Sequence, residues 1–107
     1  MLDETFSLEN HPMILVVCGI YHYEKKGGEP TAETLFELLK PLITKDELKK
    51  QLDQMICFGV INENFRSAGE TNVMRTFAIG GYTREMARDT YERYWLEIEM
   101  QKRQGGD

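Results

Sequence analysis

Cys18 and His22 stand four residues apart, so on a helix they share one face and could share a metal with Cys57 or His11. A tetrahedral zinc site needs four ligands, and a helical pair supplies two. A buried thiol beside a half-exposed imidazole accounts for the same spacing, and no metal or other cofactor is expected. A redox-sensing thiol would need an electropositive neighbourhood, which the residues flanking Cys18 do not establish. The chain carries no nucleophile–base–orienter signature, no glycine-rich phosphate loop and no zinc-hydrolase motif. Gly27 with Gly28, and Gly80 with Gly81, are punctuation between elements. No enzymatic activity is expected.

The chemistry that remains is electrostatic. The stretch LITKDELKKQLDQMICFGVINENF, residues 42–65, places Lys45, Lys49 and Lys50 together, and Arg66 and Arg75 follow. The chain has 107 residues and a net charge of −5, but the charge is uneven. Residues 1–43 carry 3 basic and 7 acidic side chains, residues 44–79 carry 5 and 5, and residues 80–107 carry 5 and 6. The neutral middle segment can present a local positive face to a polyanion although the whole is acidic. A solvated helix face is the plainer account of the same lysines.

The elements that would position these cations follow from period and punctuation. A first helix starts near Pro12, tolerated at the first helical position, and runs through Ile14, Val17, Cys18 and Tyr21 to Gly27 and Gly28. Thr31 caps a second helix with Glu33 in its first turn and Leu35, Leu38, Leu39 and Leu42 as its apolar positions. Pro41 ends it, because the residue before a proline is pushed out of helical angles. Thr44 and Glu47 form a capping box for a third helix, with Leu48, Leu52, Met55, Ile56 and Gly59 on its apolar side. Gly59 can end that helix in a left-handed conformation. Asp46, Lys50, Asp53 and Gln54 point away from the apolar side, with Lys49 on its flank. Residues 60–66 and 73–79 then read as two strands around a polar turn at 67–72, a β-hairpin. Thr83 caps a last helix that reaches about Gln104.

In the last helix Ala87, Tyr91, Tyr94 and Ile98 repeat at a–d-like spacing, and Met86 and Trp95 widen the stripe. Packing on the chain's own first helix explains such a stripe. A two-fold dimer interface also does, since aromatic residues anchor such surfaces, and it is the expectation taken here.

At this length and composition, 41% hydrophobic and 29% charged, one core in one domain is expected. Residues 1–9 read as a flexible arm. The longest apolar run, residues 13–21, is too short to span a bilayer. Asp3, Glu4 and Glu9 precede it without a lysine or arginine, unlike a secretory signal. Two cysteines make no disulfide framework, so a cytoplasmic location is expected.

The order helix, helix, short turn, helix, hairpin, helix resembles the winged helix-turn-helix transcriptional regulators, such as the MarR and PadR groups. TAETLFELLKPLITKDELKKQLDQMICFGVINENF is similar to their second helix, recognition helix and first wing strand, and VMRTFAIGGYT to the second wing strand and the approach to the next helix. The likeness covers roughly residues 12–83. It implies an α+β winged helix with a three-helix core (12–83), a two-stranded β-wing and a C-terminal dimerisation helix (83–104). It also implies a homodimer acting as a DNA-binding regulator on a palindrome in double-stranded DNA. By position it places Lys45, Asp46, Lys49 and Lys50 in the major groove, Asp53 near the backbone, and Arg66 and Arg75 at phosphates or the minor groove. Asp46, Asp53 and a wing tip that carries Glu70 but no cation depart from the family pattern and imply weak binding to random DNA. Winged helices also serve as protein-interaction modules, which is the alternative.

Overall fold

The computed structural model describes residues 11–67 and 69–105, so the arm expected at 1–9 lies outside the described residues. The elements are α1 (Pro12–Lys25), α2 (Ala32–Leu39), α3 (Lys45–Cys57), β1 (Ile61–Ser67), β2 (Val73–Ile79), a 3₁₀ turn (Gly81–Thr83) and α4 (Arg84–Gly105). The order is that of an α+β winged helix: α1, α2 and α3 form the core, and β1 and β2 pair as the wing.

Burial in α1 is not confined to the positions Ile14, Val17, Cys18 and Tyr21 that its sequence marked. Six consecutive residues, Leu15, Val16, Val17, Cys18, Gly19 and Ile20, are all buried. Packing on α2, α3, α4 and β2 buries this helix on every side, which leaves no solvent face to pattern. Gly19 admits α2: a Cβ there would lie 3.1 Å from Leu35 Cδ2 and 3.3 Å from Leu39 Cδ1.

The helix ends are set locally. At α2 the capping box is between two threonines: Thr34 N–H donates to Thr31 Oγ1 at 3.2 Å, and Thr31 N–H to Thr34 Oγ1 at 2.8 Å. At α3 only half of the expected box forms. Thr44 Oγ1 accepts from Glu47 N–H at 3.1 Å, but the Glu47 carboxylate turns forward to accept from Gln51 Nε2 at 2.9 Å. That bond holds Gln51, a polar residue on the buried side of α3. Lys40 is extended at ψ 148°, as the following proline requires, and α2 ends at Leu39. The chain then turns into α3 within five residues, with Leu42 and Ile43 buried in the corner.

Gly59 closes α3 at φ 78°. Val60 N–H donates to the Met55 carbonyl at 2.9 Å, and Gly59 N–H to that of Ile56 at 3.1 Å, the two bonds of a Schellman motif. Gly59 is exposed, not on the apolar side where its spacing put it. With the Val60 amide committed to α3, β1 begins one residue later than expected, at Ile61. β1 and β2 pair antiparallel from Ile61↔Ile79 to Ser67↔Val73. On the other edge of β2, Phe77 N–H donates to the Pro30 carbonyl at 3.0 Å, which ties the wing to the segment before α2.

Thr83 was expected to cap α4. Instead it lies in the 3₁₀ turn, and its hydroxyl donates to the Val60 carbonyl at 2.7 Å. Glu24, near the end of α1, fastens the same corner. It accepts from Ile79 N–H at 2.6 Å and pairs with Arg84 Nη1 at 2.7 Å. No helix of the described residues is long and apolar enough to cross a membrane.

Candidate nucleic-acid interface

On α3, Leu48, Gln51, Leu52 and Met55 face the core. Lys45, Asp46, Lys49, Lys50 and Asp53 are all exposed on the remainder of the surface. The structure therefore brings the sequence-derived α3 residues onto one open face. The 3.6-residue period divides that face. Asp46 and Lys50 point furthest outward, while Asp53 lies toward Arg75 of the wing and Lys45 and Lys49 lie on the flank toward α2. There they border a groove of about 370 Å³ whose floor includes Phe36, Leu48 and Leu52. Lys45 Nζ sits 5.4 Å from the centre of the Phe36 ring, so its stem covers apolar surface while its charge stays in water.

The wing arginines are placed differently from expectation. Strand alternation puts Arg75, opposite Phe65, on the face toward α3, and Arg66, opposite Met74, on the other face. The two therefore do not form one phosphate-binding surface. Arg66 makes a two-pronged pair with Glu29: Nη2 to Oε2 at 2.9 Å and Nε to Oε1 at 3.2 Å. Glu29 also accepts from the Thr76 hydroxyl at 2.8 Å and the Asn64 amide at 3.3 Å. Hydrogen bonds from Arg66 first, and Thr76 next, hold its carboxyl below the usual carboxylate range. Arg75 pairs with Glu63 at 2.7 Å and with Asp53 at 3.5 Å, and its guanidinium lies 5.0 Å from the Phe77 ring centre. Beyond these pairs the strands expose apolar side chains, Phe65 at 65% and Val73 at 68%, while the turn between them, with Glu70, Thr71 and Asn72, is polar.

The residues expected at a dimer interface also divide. Ala87, Tyr91 and Ile98 are buried in the chain's own core, because α4 packs along α1. A second copy cannot reach them without displacing that packing. Tyr94 and Trp95 are half-buried, and Met86 is exposed. The α1–α4 seam is aromatic. His22 stacks on Trp95 with centroids 4.5 Å apart, Tyr91 on Trp95 at 5.1 Å, and His22 Nδ1 shares a 2.9 Å hydrogen bond with the Tyr91 hydroxyl. Burial first, with Lys26 adding repulsion, lowers the His22 pKa.

Cys18, four residues earlier, lies 3.7 Å from the Thr90 carbonyl, and burial pushes its thiol up to about 12. It is a packing residue, whereas Cys57 is exposed on α3. Among the described residues no group of three or more His, Cys, Asp or Glu side chains could hold a metal ion.

Glu24, Glu29 and Glu63 organise the wing and its base, yet nothing in their local sequence distinguishes them from other surface carboxylates. Only the fold brings Glu29 to Arg66, 37 residues away.

No family model matches the chain, and no curated protein matches it. Among solved structures, one similar chain is described provisionally as an HTH-type transcriptional regulator, ytcD. It is 18% identical, with a TM-score of 0.49 over 94% of this chain and 95% of that one. A likeness of that degree decides nothing about function, and the fold rests on the order and packing of this chain's own elements.

Proposed function

We propose that this chain is a DNA-binding transcriptional regulator of the winged-helix kind, in the manner of the MarR and PadR groups, acting in the cytoplasm. Its partner is double-stranded DNA, which it binds as a homodimer on a palindrome with half-sites about one helical turn apart. The observation that carries the reading is the open face of α3, where Lys45, Asp46, Lys49, Lys50 and Asp53 stand uncovered. Lysine donates to guanine O6 and N7, and aspartate accepts from cytosine N4. A mixed face of this kind suits base edges better than phosphates, which the two aspartates repel. Exposed Leu96, Met100 and Met86 on the side of α4 turned from α1 support a contact with a second copy.

The test is selection of duplexes from a random pool at moderate salt. One palindrome is expected to be enriched. Lys49→Ala with Lys50→Ala should then cost about 1–3 kcal/mol of binding for each lysine. The thermal melt should barely move, because both side chains are exposed. A pool from which nothing is enriched sinks the proposal. A second reading, a winged-helix module that docks on another protein, is favoured by one observation: both wing arginines are already paired while the wing strands expose Phe65, Val73 and Met74. A binding partner that is a protein, with no duplex selected, would establish it.

A further inference from the structure

Arg66 and Arg75 hold the only positive charges of the wing strands, and each is engaged by carboxylates: Arg66 by Glu29 from the segment before α2, and Arg75 by Glu63 of β1 and Asp53 of α3. An exposed ion pair by itself is worth little and opens readily. These two are more than that. Glu29 meets Arg66 in the two-pronged geometry that matches guanidinium to carboxylate. Thr76, itself buried, and Asn64 hold the carboxylate in place. Neither of those groups can follow the arginine out to a ligand. Arg75 is fixed by Glu63 at 2.7 Å on one side, Asp53 at 3.5 Å on another and the Phe77 ring beneath. A phosphate approaching either guanidinium competes with an acceptor already in position.

We infer that Glu29 and Glu63 are specificity-determining residues: by occupying Arg66 and Arg75 they withhold the wing's phosphate contacts and suppress binding to random duplex, leaving recognition to α3. This rests on the DNA-binding function proposed above. The consequence is a protein whose sequence-independent affinity is low by construction. Glu29 lies before α2 and Glu63 on β1, neither of them on α3, so they reduce binding to every sequence alike and raise the ratio of specific to non-specific binding.

The measurement is the affinity for a fluorescent random-sequence duplex between 50 and 200 mM salt. Each additional phosphate neutralised steepens the slope of log K against log salt by about 0.9, equivalent to roughly a three- to fourfold larger loss across that range. Glu29→Gln keeps one acceptor oxygen for Thr76 but removes the charge and the second acceptor that hold Arg66, so it should steepen the slope by about that amount per subunit. Glu70→Gln removes the same charge from the exposed wing turn without freeing an arginine, and should leave the slope unchanged. Arg66→Ala should barely alter the slope of the otherwise native protein but should cancel the gain in the Glu29→Gln background. Glu63→Gln gives the same test at Arg75 should Glu29→Gln fail to fold, with a smaller gain because Asp53 remains. Equal slopes for Glu29→Gln, Glu63→Gln and Glu70→Gln overturn the inference while leaving DNA binding intact. So does a native slope that falls by a full contact on Arg66→Ala. A protein that binds neither random nor selected duplex in any variant overturns the DNA-binding function as well.

Discussion

Ile98→Asp is expected to unfold the protein, not to divide a dimer into folded monomers. Ile98 is fully buried between α4 and the rest of the core. Removing its side chain costs about 2–5 kcal/mol in lost transfer energy and cavity. The aspartate adds an unpaired buried charge, worth several kcal/mol more unless it takes up a proton. A domain of this size holds only about 5–15 kcal/mol of stability in total. The melt should fall by on the order of 20 °C or lose its cooperative transition. Leu96→Asp is the matched control, since Leu96 lies two residues away but is 69% exposed. Its melt should stay within about 0.5 kcal/mol of native, so any change it makes in light scattering reports association alone. An Ile98→Asp protein that melts normally and elutes as a monomer would return Ile98 to the dimer interface.

The second large effect is at the base of the wing. Among the described residues Phe77 is the largest fully buried side chain. Its backbone donates to Pro30 and its ring supports the Arg75 guanidinium. Phe77→Ala should cost about 3–5 kcal/mol. The loss should be seen as a lower denaturant midpoint at nearly constant slope, because the folded and unfolded surfaces change little. The backbone bond to Pro30 survives the substitution, so the cost isolates the ring. A loss below about 1 kcal/mol would mean that the ring is not part of the core.

What the sequence determined by itself was local. Thr31 and Thr44 start helices because a hydroxyl can accept an amide proton three residues on. Gly59 ends α3 because a residue without a Cβ takes a positive φ at no steric cost. The change from a period near 3.6 to strand-like residues and turn chemistry announced the wing, and β2 lies at the residues its pattern marked. The open side of α3 was legible for the same reason: the helical period sorts Lys49 and Lys50 from Leu48 and Leu52 without reference to any other element.

Only the tertiary structure decided what each face meets. A stripe such as Ala87, Tyr91 and Ile98 says that a surface is buried and is silent on whether its own α1 or a second copy covers it. α1 shows no stripe to read, because neighbours on every side make burial continuous. The wing arginines were visible as charges, yet the carboxylates that neutralise them arrive from the segment before α2, from β1 and from α3. Capping hydrogen bonds and side-chain periods act over a few residues and are written in the local order of the chain. Ion pairs such as Arg66 with Glu29 depend on which segments the core draws together, and that is fixed only when the apolar faces have found one another.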